Sequence, residues 1–237
     1  LQAILQIPGQ SYLLGADDLG RPVLDRLLIG ARTSFWVAMG VIGVSLVSGT
    51  LLGCAAAYLG GWWDRFLVIW LDIFMAFPGI LLAIALAGLL GPGIANLVFA
   101  LTLVGWVGYA RLARAQVLSV KGREHVLAAR ALGARTPRIV LRHLLPLISA
   151  PLLVEATFGV AAVVVAESGL SFLGLGVQPP DASWGSMIRD GVRYLLVAPH
   201  LVLAPGTALF LVVLSVNLLG DGLRDRLDVK TRRGFAP

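Results

Sequence analysis

The chain has 237 residues, of which 58% are hydrophobic and 14% charged, with mean hydropathy +0.87 and formal net charge +6. A water-soluble domain carries about 25% charged residues and needs them to cover its surface. An ordinary soluble enzyme, a disordered chain and a secreted disulfide scaffold are therefore excluded. One cysteine, Cys54, permits neither an internal disulfide nor a zinc cluster.

The chain opens on Leu1, and residues 1–33 carry the charged stretch Asp17-Asp18-Leu19-Gly20-Arg21. Three long runs then hold no formal charge: 31 residues from Thr33 to Trp63, 38 from Ile73 to Ala110 and 27 from Tyr194 to Gly220. A hydrocarbon layer about 30 Å thick needs roughly 20 apolar residues of helix, and lipid leaves helix as the default backbone. The pattern predicts five spans, at 34–59, 66–90, 94–110, 143–166 and 201–220. Gly91-Pro92-Gly93 marks a turn between the second and third, and Pro78-Gly79 marks a kink within the second.

Basic residues mark the cytoplasmic side. Eight lie between Arg111 and Arg142 with Glu124 as the only acid, and five lie in the tail after Gly220. With five spans, the 111–142 loop, the turn at Gly60–Arg65 and the C-terminus face the cytoplasm; residues 1–33 and 167–200 face outside. Fourteen of the 19 basic residues are then inside, so the charge is a topology signal. No stacking aromatics interleave with the basic loop, which argues against nucleic acid.

Within that loop, Ala128, Ala129, Ala131 and Leu132 favour helix, Gly133 permits a turn or a close approach by another backbone, and Pro137 suits the start of a second helix. Two readings stay open from the residues alone: a basic loop resting on anionic lipid, and a docking element for a cytoplasmic partner. Asp72 and Glu155 fall inside spans, where charge is costly. They suit either a translocation path or a polar contact between helices or subunits. Trp62, Trp63 and Trp184 suit membrane interfaces.

The segment EHVLAARALGARTPRIVLRHLLP at Glu124–Pro146 resembles the EAA loop of ABC-type import permeases. Leu14–Ser34, Ala166–Ile188 and Leu218–Asp228 resemble, in the same order, the C-type subunits of the dipeptide/oligopeptide/nickel permease family. The resemblance implies an all-α polytopic membrane bundle, the transmembrane domain of a type I ABC importer. Its expected parts are an extracytoplasmic segment 1–33, a membrane domain 34–220 and a cytoplasmic tail 221–237. The membrane domain includes a coupling loop 111–142 and an extracytoplasmic segment 167–200. Six membrane helices are usual in this subunit, so the first is expected to precede Leu1. Two positions depart from the family pattern: Leu127 stands where the motif acid belongs, and Leu147 follows Pro146 in place of Asn.

The resemblance further implies that Glu124, Leu127, Ala128, Ala129, Gly133 and Arg142 couple to cytoplasmic ATPase subunits. Glu124, one turn before Leu127, takes over some contacts of the missing acid. Asp17, Asp18 and Arg21 are expected to dock the extracytoplasmic binding protein or the partner permease, or else to cap a segment lying along the bilayer. Neither Lys121 nor Lys230 fits a phosphate-binding loop, so ATP and Mg2+ belong to partner subunits and this chain needs no cofactor of its own. The partners implied are a second homologous permease, two ABC ATPases, a solute-binding protein and membrane lipid. The expected setting is a bacterial or archaeal plasma membrane, and the solute a di- or oligopeptide, nickel or another small molecule. The alternatives weigh less. A zinc protease lacks His-Glu-x-x-His, a serine hydrolase lacks Gly-x-Ser-x-Gly, and a lone secondary transporter would show internal repeats. His125, His143 and His200 do not share a side of the membrane, so no metal site is expected.

Overall fold

The computed structural model describes residues 4–9 and 12–227; Lys230, Arg232 and Arg233 of the expected tail lie outside them. The described residues form nine α-helices and one π-helical turn, with no strand among them. The helices are α1 (Val23–Leu59), α2 (Gly61–Met75), α3 (Gly79–Leu90), α4 (Ile94–Val120), α5 (Glu124–Ala131), α6 (Thr136–Ile139), α7 (Leu145–Phe172), α8 (Trp184–Val192) and α9 (His200–Leu227). Four helical stretches are long and apolar enough to cross a membrane, and a fifth crossing results if the broken pair α2 and α3 counts as one.

The helices overrun the expected spans because helix outlasts hydropathy. The 37 residues of α1 begin eleven before Ser34, through Asp25, Arg26 and Arg32. At 1.5 Å per residue α1 reaches about 55 Å, well beyond the hydrocarbon layer. Likewise α4 continues ten residues past Ala110, so Arg111 and Arg114 sit on helix and the free loop starts at Lys121.

The expected single span 66–90 is instead two helices, and the chain turns by 83° between them. Pro78 causes this. It has no N–H to continue the helical ladder, and it pushes Phe77 away from helical dihedrals. The helix expected from 143 starts at Thr136, with Pro137 in its first turn. Pro146 cannot bond back to the Arg142 carbonyl. Just before it, the chain widens into the π turn Val140–Leu144, and the Leu145 N–H reaches the Val140 carbonyl.

The contacts divide the chain into two units. Unit 1 comprises residues up to Val41, Ile80–Leu101 and Val160–Val216; unit 2 comprises Ile42–Gly79, Thr102–Gly159 and the residues from Asn217 on. The core of unit 1 joins Val23, Ala38, Val164, Trp184, Met187 and Leu201. Trp184 donates its indole N–H to the Leu27 carbonyl at 3.0 Å, and Ser183 caps α8 through a reciprocal box with Ser186. Unit 2 packs Ala56, Leu67, Leu71, Val107 and Ala110 together. There Gly53 lets α1 touch the Ala110 backbone of α4, leaving no room for a Cβ. Without a hydrophobic drive between helices in lipid, such small-residue contacts supply the dispersion that holds the bundle.

Candidate functional site

The site begins where α4 ends. Lys121-Gly122-Arg123 turns the chain, and the Arg123 carbonyl accepts the first helical bonds of α5 from the N–H groups of Val126 (2.9 Å) and Leu127 (3.1 Å). Glu124 occupies the first turn of α5 and Arg130 the last, each opposite in sign to the helix end it faces. At the other end the Gly133 N–H reaches the Arg130 carbonyl and the Ala134 N–H the Ala129 carbonyl, both at 3.0 Å. These two bonds form a Schellman stop, which needs a left-handed residue just after the cap. Gly133 supplies it at φ +79°.

The sequence allows Gly133 either a turn or a close approach by another backbone. Its left-handed φ serves the turn, and within this chain nothing lies within 4 Å of where its Cβ would be. Helix α5 packs on α6 and the π turn through the buried Val126, Ile139 and Val140. Its other surface is open: Leu127 is 51% exposed and Leu132 88%. Glu124, Ala128 and Gly133 are also exposed, as are Arg123, Arg130, Arg135, Arg138 and Arg142; Ala129 is half-buried. The result is a short apolar ridge with an arginine rim. Such a shape suits a shallow protein groove with acidic edges.

Two unanticipated ties hold the base of this element. Arg114 forks onto Asp64 with Nε–Oδ1 at 2.6 Å and Nη2–Oδ2 at 2.8 Å. Lys121 Nζ donates to the Ala57 carbonyl near the end of α1, at 3.1 Å. Both cations were counted with the free loop, but they are consumed within unit 2 and are not offered outward. Asp64 lies 50 residues from Arg114 in the chain, and no local pattern pairs them.

The remaining expected site residues are scattered. Asp17 is only 4% exposed. Its Oδ1 accepts the N–H groups of Leu19 and Arg21, and its Oδ2 accepts Arg21 Nε at 2.7 Å and Arg26 Nη1 at 2.9 Å. Asp17 thus folds its own loop and is not a free docking carboxylate; Asp18 and Arg21 beside it remain half-buried. Burial raises the Asp17 pKa. The Arg21 and Leu19 N–H groups and the Arg21 guanidinium outweigh that, holding it below the usual carboxylate value.

Asp72 is exposed on α2 in a groove it shares with Arg111 and Arg114. Glu155 is exposed on α7 in a different groove, with Arg224 and Leu227 of the last turn of α9. The structure does not bring Asp72 and Glu155 into one site.

Sequence reasoning passed over Glu167, which is fully buried in unit 1. Ser34 donates to its Oε2 at 2.8 Å and Ser171 to its Oε1 at 2.7 Å. Ser171 in turn accepts the Val177 N–H at 3.2 Å. No cation balances this carboxylate among the described residues; hydroxyls alone satisfy it. Among the described residues no group of three or more His, Cys, Asp or Glu could hold a metal ion.

A family model described as a binding-protein-dependent transport system inner membrane component matches residues 49–233. The chain is 41% identical over 228 residues to the dipeptide transport system permease protein DppC of Alkalihalophilus pseudofirmus, covering 96% of this chain and 75% of that one. It is also 41% identical over 225 residues to the glutathione transport system permease protein GsiD of Escherichia coli, covering 95% and 74%. An inward-facing structure of the MetNI methionine ABC transporter superimposes with a TM-score of 0.66 at 18% identity, covering 86% of this chain and 95% of that one. At that identity the likeness concerns the fold alone.

Proposed function

Because the chain belongs to the family of binding-protein-dependent transport system inner membrane components, in its dipeptide/oligopeptide/nickel importer branch, as a permease subunit of a type I ABC importer, we propose that it forms half of a translocation pathway for di- and oligopeptides. Relatives named for dipeptide and glutathione transport both support a peptide-type solute. A second, homologous permease completes the pathway, an extracytoplasmic binding protein delivers the solute, and two cytoplasmic ATPase subunits supply the work. ATP and Mg2+ stay on those subunits.

The observation that carries the mechanism is the outward surface of α5, with exposed Leu127 and Leu132 beside arginines that form no ion pair among the described residues. Exposed leucines at two positions of this short element supply the apolar anchors a gripping partner would bury. In this reading Leu127, Ala128 and Leu132 seat in an ATPase groove, Glu124 and Arg142 contact its rim, and the Gly133 stop fixes the helix length. Nucleotide binding draws the two ATPase subunits together and moves each coupling helix as a rigid body. Because α5 packs on α6 and the π turn, and these run into α7, that motion reaches the membrane helices. The ligand then shifts a pre-existing inward–outward equilibrium by its unequal affinity for the two states.

The orientation that agrees with the charges puts α5 and the C-terminal tail in the cytoplasm, with α2 and α3 together making one crossing. Asp18 and Arg21 then face the binding protein or partner permease, on a loop that Asp17 holds rigid. The test is reconstitution with the cognate permease, ATPases and binding protein in lipid vesicles. ATP-dependent accumulation of labelled dipeptide is expected. Accumulation by this chain alone, without ATPases, would instead identify a secondary transporter.

A further inference from the structure

Glu155 and Arg224 carry opposite charges, line one groove and yet form no ion pair with each other or with any other described residue. Both side chains are exposed, so both charges are open to a bound molecule. Leu112, Pro151, Val154 and Phe158 give the same groove its apolar lining. Gly220 brings α9 close to α7 at this groove: a Cβ there would sit 3.0 Å from the Phe158 ring. The cavity volume is about 410 Å³, within the roughly 300–1,000 Å³ of small-molecule sites.

A flat protein partner would meet two cancelling charges here, and a lipid phosphate would be repelled by Glu155. A molecule with unlike charges and an apolar body complements all three features. We propose that this groove is a subsite for a zwitterionic peptide, with Glu155 receiving the terminal ammonium, Arg224 the terminal carboxylate, and the apolar lining the side chains. The inference rests on the peptide reading above and deepens it. It lies entirely within unit 2 and does not involve the α5 surface.

The test measures equilibrium binding of dialanine, N-acetyl-dialanine and dialanine amide to the assembled permease–ATPase complex without the binding protein, which has its own selectivity. Wild type should prefer dialanine to both blocked forms. Glu155→Gln should weaken dialanine binding roughly tenfold, the loss of one charge-assisted contact, and erase the preference over the N-acetyl form. Arg224→Gln should do the same for the amide. Glu155→Asp and Arg224→Lys should keep much of each preference and show that the helices still pack. Unchanged affinity in the Gln variants, an equal loss for all three ligands, or loss of subunit assembly would each overturn the subsite, the last in favour of a contact between permeases. A wild-type complex that transports no dialanine with its binding protein present would overturn the peptide reading itself, and the subsite with it. Normal wild-type transport with unaltered variants overturns the subsite alone.

Discussion

The loop at Asp17 and the loop at α5 treat charge in opposite ways. At Asp17 one carboxylate gathers two guanidinium groups and two backbone N–H groups, and it is nearly sealed from solvent. At α5 a comparable number of charges is displayed, and the arginines are exposed. The first arrangement spends its polar groups on its own shape. The second leaves them exposed, with two leucines beside them. Sequence position alone does not separate the cases, since both are charged loops next to long apolar helices. Only the bonding pattern tells a loop whose charges are satisfied internally from one whose charges are exposed.

The largest effect expected from this contrast is on transport. Leu127→Asp with Leu132→Asp should lower solute uptake at least about 100-fold, as loss of two interface anchors does, while the protein inserts at normal levels. Thermal unfolding should barely move, because both side chains are already exposed. Asp17→Ala should do the reverse. It strips the close partner from Arg26, whose side chain is 12% exposed, and leaves only Asp190 at 3.8 Å. Unfolding in detergent should show a loss of about 3 kcal/mol, with the ATPase contact intact.

A smaller effect sharpens the role of Gly133. Gly133→Ala should cost about 1 kcal/mol at the helix stop because its φ is positive, and Gly133→Asn clearly less. Equal uptake by the Asn variant and wild type would assign the glycine to backbone geometry; failure of both variants alike would assign it to close contact with a partner. The smallest effect is in acid. The Asp17 pKa is lowered in the folded chain, so its stabilisation is whole above about pH 4 and is lost as pH falls through the folded value. Stability measured against pH should therefore fall less steeply below about pH 4 in Asp17→Asn than in wild type.

Much of the fold was legible because lipid simplifies the problem. Three charge-free runs and the Gly91-Pro92-Gly93 turn announce helices and a hairpin, and the turn is closed by Asn96, which donates to the carbonyls of Leu90 and Gly91. The α5 element was legible too, since helix formers, a glycine stop and Pro137 are local signals. What escaped was set by distant partners. Ser34 meets Glu167 across 133 residues, and Arg114 meets Asp64 across 50. Hydropathy also understates helix length, which is why Arg111 and Arg114 were read as loop. At Pro78 the sequence pointed to a kink, but whether a proline bends a helix or breaks it depends on packing beyond the local pattern.

The central claim is that the outer surface of α5 belongs to the ATPase. It is tested most directly by placing a cysteine at Leu132, in a chain whose own Cys54 is buried, and applying a short bifunctional crosslinker to the assembled, transport-competent importer. A covalent adduct between position 132 and an ATPase subunit is expected, with uptake lost once the link forms. Efficient labelling of position 132 by a soluble thiol reagent in that same complex, with no adduct and undiminished uptake, would contradict it.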